Sequence, residues 1–167
     1  MTSEKTTFIS KIAPYLDSAE RIFIVGISVG FFIKNISGNN SIFIMQLSIL
    51  GLAATYFMSA FRVIDIPFNE DDTMDFKDLL ALTVNPKVLW ISSAFSLFGM
   101  FVMYQNLGNE GYKQSFMIGM ISIIICMIIH VYAIINGTKH LVHIKHVFYR
   151  AVPLLILDIY ILFEKIS

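Results

Sequence analysis

Two stretches of this chain, residues 41–61 and 115–135, each run 21 residues without a charge, interrupted only by Gln46 in the first and His130 in the second. The hydrocarbon core of a bilayer is about 30 Å thick and takes roughly 20 apolar residues as helix, because lipid offers backbone N–H and C=O groups no partner. A chain of 167 residues carrying two such runs is predicted to be membrane-embedded. Its 56% hydrophobic content, 14% charge and mean hydropathy of +0.72 extend that reading to the whole length. The expectation is an all-α polytopic membrane helix bundle, with residues 1–167 forming a single integral membrane domain.

Two further spans complete a set of four transmembrane helices. Residues 88–104 hold 17 residues without a charge, enough to cross with local thinning of the bilayer. Residues 19–36 become membrane-long if Lys34 snorkels to the surface. A fifth span is expected at the C-terminus, residues 147–163, although it carries Arg150, Pro153 and Asp158. The stretch from Leu154 to Phe163 is apolar on every side except at Asp158, which suits a spanning helix better than one lying half in water.

Basic residues set the orientation. Lys5, Lys11 and Arg21 precede the first span and Lys34 alone follows it. Arg62, Lys77 and Lys87 lie between the second and third spans, and Lys113 alone between the third and fourth. Lys139, Lys145 and Arg150 then precede or open the fifth, with Lys165 alone after it. By the positive-inside rule this alternation puts the N-terminus and both longer loops in the cytoplasm of a plasma (inner) membrane. No small-residue cleavage site follows the first apolar run, so that segment reads as a retained anchor rather than a removable signal.

Twelve basic against twelve acidic residues leave no net field to attract nucleic acid, which is excluded as a partner. The single cysteine, Cys126, rules out an intrachain disulfide and a cysteine-based zinc site.

The segments between spans carry amphipathic patterns that predict short cytoplasmic surface helices. Phe8, Ile9, Ile12, Leu16 and Ala19 fall at helical spacing before the first span. The loop of residues 65–86 combines the acidic run Glu70, Asp71, Asp72, Asp75 and Asp78 with an apolar face of Phe76, Leu79 and Leu80 that closes at Asn85-Pro86. Leu141, Ile144, Phe148 and Ala151 make a third such face. The turns Lys34-Asn35-Ile36-Ser37-Gly38-Asn39 and Gln105-Asn106-Leu107-Gly108-Asn109 resemble each other, so two readings stand: a repeated unit of surface helix plus hairpin, or chance.

Motifs that carry chemistry are few. Gly26-Ile27-Ser28-Val29-Gly30 has the letters of a serine nucleophile elbow, but that motif needs a strand-to-helix turn and this one lies within an apolar helix. Gly26 and Gly30 are read instead as a small face that lets another helix approach, and Gly51, Thr55 and Ser59 as a second. His140, His143 and His146 are spaced as the start of a zinc site, which a carboxylate of residues 65–78 would complete. The interleaved Lys139, Lys145 and Arg150 oppose a dication, so the run is assigned to an interfacial helix on anionic lipid, with no metal. The acidic run lacks the glycine and ligand spacing of a calcium loop. It reads as a solvated helix start, or as a dock for a basic cytoplasmic partner.

Gln46, His130 and Asp158 stand alone inside apolar segments, where polar groups serve as glue between helices or line a conduction path. His130 is the partner expected for Asp158. With no catalytic residue or cofactor indicated, the expected function is non-enzymatic: a multi-pass inner-membrane protein acting as a self-assembling component, a homo-oligomer in the bilayer, or a subunit of a membrane complex. The alternative is a small oligomeric ion channel, pore-forming effector or transporter.

Overall fold

The structure, a computed structural model, describes residues 8–37, 42–62, 75–105 and 111–166. Every regular element among the described residues is helical: α1 Phe8–Ser37, α2 Ile42–Ser59, α3 Phe76–Tyr104, α4 Gly111–Ile135, a short 3₁₀ turn Leu141–His143 and α5 Lys145–Ile166. The acidic residues Glu70 to Asp72 and the Gly-Asn turns at Gly38-Asn39 and Gly108-Asn109 lie outside the described residues.

Four helices are long and apolar enough to cross a membrane: α2, α3, α4 and residues Lys145–Glu164 of α5. The chain is a multi-pass helical membrane protein. Its span assignments shift from those expected. The C-terminal segment qualifies despite Asp158, because the rest of it is apolar. The first helix does not, because Glu20, Arg21 and Lys34 confine its uncharged apolar run to residues 22–33. The amphipathic stretch before that run is no separate surface helix but the opening turns of the 30-residue α1.

α3 differs most from expectation. Asn85-Pro86 was expected to separate a surface helix from the span, yet the helix runs unbroken for 29 residues. Asp75 caps its start by accepting the Phe76 N–H at 2.7 Å. Pro86 has no N–H to give, and its ring would crowd the carbonyl four residues back. The chain absorbs this in a π turn at Leu80–Val84, where the Asn85 N–H bonds the Leu80 carbonyl five residues earlier. The helix thus widens by one turn rather than ending.

The third amphipathic stretch is also corrected. Gly137, with φ of 66°, ends α4 while Thr138 N–H bonds the Ala133 carbonyl, a glycine-terminated helix end. His140 is itself left-handed at φ 65°, and α5 begins only at Lys145. Ile144, Phe148 and Ala151 are buried in the protein core, so their face packs against neighbouring helices and not on a lipid surface.

α3 is the central rod, packed by α2 on one side, α4 on another and α5 on a third, while α1 lies along α2. Leu82, Leu89 and Leu97 of α3 meet Met45, Ile49 and Tyr56 of α2 and Phe116, Ile123 and Cys126 of α4 in one core cluster. Outward faces are apolar too, as with Ile118, Ile121, Ile125 and Ile128 along α4. That pattern suits a molecule whose solvent is hydrocarbon.

Candidate functional site

The polar side chains gather at three levels along the bundle. Near the ends of α1 and α2, Arg62 donates to the Asp17 carboxylate at 3.1 Å and to the Ala13 carbonyl at 2.8 Å, gripping one turn of α1. Glu20, one turn deeper and 5% exposed, accepts from the Tyr56 hydroxyl at 3.1 Å and pairs with Arg150 of α5 at 3.0 Å. Arg150 also reaches Asp17 at 3.7 Å and lies 5.6 Å from the centre of the Trp90 ring, which Tyr56 meets edge-on at 4.8 Å. Two acids of α1 are thereby neutralised by one arginine just after α2 and one from α5, above an aromatic floor built by α2 and α3. From the sequence Arg62 and Arg150 were read only as basic residues that set orientation, and the clustering of these six residues was not foreseen. The available signal was that these charges sit at the borders of apolar runs, where opposite charges at equal depth pair.

At membrane depth lies Asp158, fully buried. Its partner is Ser96 of α3, whose hydroxyl donates to Oδ1 at 2.7 Å, and Oδ2 has no hydrogen-bond partner. His130, the expected partner, instead stacks on Phe148 with ring centroids 3.6 Å apart and an interplanar angle of 16°. The rotation of α4 turns its imidazole toward the aromatic start of α5. Asn85, 2% exposed, donates its amide to the Cys126 carbonyl at 3.0 Å and so ties α3 to α4.

Gln46 works at the opposite end of the bundle from the charge cluster. Its amide donates to the Tyr104 carbonyl at 2.9 Å and its Oε1 accepts from Gln105 at 3.2 Å, capping the last turn of α3 from α2. Lys34 lies 5.4 Å from the Tyr104 ring centre at the same level.

The small residues pack within the chain. A Cβ at Gly30 would stand 2.8–3.0 Å from the Met45 Cβ and backbone, and one at Gly26 would run into Ser48, so α1 meets α2 closely along this face. Gly51 receives the Phe23 ring from α1. Thr55 and Ser59 are buried, each bonding the carbonyl one turn back at 2.8 Å. A third small face, on which the sequence places Ser115, Gly119, Ser122 and Cys126, brings α4 close to α3 at Gly119: a Cβ there would lie 3.0 Å from the Ser96 backbone nitrogen and 3.1 Å from the Ser92 carbonyl. Ser28 of the elbow-like motif bonds the Ile24 carbonyl at 3.0 Å, and its helix is unbroken.

The histidine run is split by the left-handed His140, and only His146 lies on α5. Among the described residues no three His, Cys, Asp or Glu side chains gather around a point where they could hold one ion. Comparison of the chain with known protein families, with curated protein sequences and with solved structures finds no match.

Proposed function

We propose that this protein is a non-enzymatic multi-pass inner-membrane protein that works through helix packing, as a self-assembling component or as a subunit of a larger membrane complex. One observation carries the reading: the polar groups within and at the end of the spanning helices are used to tie one helix of this chain to another. Ser96 joins Asp158, Asn85 joins the Cys126 carbonyl, and Gln46 caps α3. Groups aligned along a conduction path would instead share a water-filled cavity. Broad apolar faces such as that of α4 leave room for neighbours in the bilayer plane.

The orientation has the N-terminus cytoplasmic. In support, Arg62, Lys77, Lys139, Lys145 and Arg150 flank one end of the spanning helices, while Lys34 and Lys113 flank the other.

The conduction reading draws on one specific feature, the unpartnered Oδ2 of Asp158. Purified size in mild detergent, measured together with ion flux in liposomes, separates the two. A discrete assembly with flux at the protein-free background is expected. Robust flux that Asp158→Asn abolishes without changing the size would replace the assembly reading with a channel.

A further inference from the structure

α5 turns one face into the bundle, and the residues on it recur at helical spacing: Ala151, Leu154, Asp158, Ile161 and Leu162 are all buried. Four are apolar and one is an acid. Asp158 and Ser96 are each 0% exposed, and a Cβ on Gly119 of α4 would lie 3.0 Å from the Ser96 backbone nitrogen, so α4 closes the site from its own side. Neither bulk water, a lipid headgroup nor a second copy can touch Asp158 while the bundle is closed. Any charge on it must be answered from within the chain.

The chain supplies one hydrogen bond and no cation. Ser96 donates to Oδ1 at 2.7 Å, Oδ2 has no partner, and among the described residues no basic side chain pairs with this acid. On α5 itself the nearest cation is Arg150, eight residues and about 12 Å away at ~1.5 Å per residue, and it is engaged by Glu20 and Asp17. Glu164, six residues the other way, would repel a carboxylate, and Tyr160 points outward at 62% exposed. On α3 the titratable groups nearest Ser96 are Tyr104 and Lys87, eight and nine residues off. On α4, counted from Gly119, they are Lys113, Tyr112 and Cys126, six and seven residues off, while His130 lies further and stacks on Phe148. An isolated carboxylate in these surroundings costs far more than a neutral carboxyl, whose O–H leaves only a dipole unsatisfied. We propose that Asp158 is a proton-binding site: the carboxyl is carried as the neutral acid, with the proton on Oδ2 and Oδ1 accepting from Ser96, and α5 stays docked on α3 only while that proton is in place. Releasing it makes a carboxylate that must meet water, which the site admits only when α5 moves away from α3. The proposal needs nothing but the buried face of α5, so it stands apart from whether the chain assembles or conducts.

The test is infrared spectroscopy of the full chain in liposomes at pH 7, where hydrated aspartates and glutamates are ionised. A protonated-carboxyl C=O band is expected, absent from Asp158→Asn and shifted in wild type by ¹³C-carboxyl aspartate, a label that needs no variant to fold. Melting in detergent gives the second arm. The unfolded chain releases the Asp158 proton at neutral pH and the folded chain keeps it, so raising the pH favours unfolding. Wild type should lose melting temperature from pH 6 to pH 9 relative to Asp158→Asn, whose amide does not titrate. Absence of a protonated-carboxyl band at pH 7, a band that the label leaves unmoved, or one that survives in folded Asp158→Asn would overturn the proton site. The same pH dependence of melting in both proteins would overturn its hold on α5.

Discussion

Ser96 of α3 donates its hydroxyl hydrogen to Asp158 of α5 across 2.7 Å, and both residues are fully buried. This bond joins the central rod to the C-terminal helix at a depth where water cannot compete for either group. A hydrogen bond in that setting is costly to leave half-made, because the remaining group keeps its desolvation penalty.

Asp158→Asn should therefore leave the fold intact, since the amide oxygen still accepts from Ser96. Asp158→Leu removes the acceptor and forces branched carbon against Ser96, and should lower stability by about 1–3 kcal/mol. Ser96→Ala should also destabilise, because it strips the carboxyl of the partner it has. Thermal melting in detergent for the three variants checks the order: Asn near wild type, Ala and Leu below it. A bundle that melts unchanged with Leu at this position would show that the bond does not hold α5.

The close approach of α1 and α2 yields a second prediction. Because Gly26 and Gly30 face Ser48 and Met45 of the same chain, replacing them affects the fold of the protomer rather than contacts between copies. Gly26→Leu with Gly30→Leu should cost about 1–3 kcal/mol per site through overpacking. Val29→Leu, on the exposed side of the same helix, should be tolerated. Melting temperature and detergent size measured together test this: a fall in melting is expected first, and an altered oligomer size at unchanged melting would mean that the glycines meet another subunit.

What could be read beforehand from single residues, and what could not, follows from where the controlling information lies. The long spans were legible because an uncharged run such as residues 115–135 has one low-energy answer in lipid, whatever its neighbours do, whereas residues 19–36, broken by Glu20, Arg21 and Lys34, were misjudged as one. The continuity of α3 was not, because Pro86 breaks a regular helix and only a π turn carries the chain past it. Pairings were harder still. Asp158 was visible as a buried acid, but whether it meets His130 or Ser96 depends on how α3, α4 and α5 are rotated about their axes, which no single span encodes. Glu20, Tyr56, Trp90 and Arg150 come from four separate helices, and each alone looks like an ordinary membrane-border residue.

The charge cluster separates into a buried and an exposed half, which predicts unequal costs. Glu20 is 5% exposed and joined to both Arg150 and Tyr56, so Glu20→Ala leaves the Tyr56 hydroxyl without its acceptor and Arg150 with only its longer contact to Asp17, and should cost about 1–3 kcal/mol. The Asp17 side chain is 49% exposed, so Asp17→Ala should cost only ~0.2–1 kcal/mol, with Arg62 keeping its bond to the Ala13 carbonyl. Salt distinguishes them further: raising ionic strength screens the Asp17 pair and leaves the Glu20 pair nearly untouched. Melting of both variants at low and high salt is the measurement, and equal losses would mean that Glu20 is solvated.

The last prediction concerns which way the bundle faces. Arg62, Lys77, Lys139, Lys145 and Arg150 flank one end of the spanning helices, and a cationic end is retained on the cytoplasmic side during insertion. In a Cys126→Ala background, which removes the single native thiol, cysteines introduced at Asn39 and Glu110 should react with a membrane-impermeant thiol reagent in intact cells. Cysteines at Asp72 and His140 should react only after the membrane is permeabilised. The four positions sample four different connections, so a span that fails to cross shows as two neighbouring positions reacting alike. If Asn39 alone is protected, it shares a side with Asp72, so α2 does not cross and the Lys34 end is not where the basic-residue alternation puts it. If all four are reversed, the Arg62 and Arg150 end faces outward and the cytoplasmic assignment of the N-terminus falls.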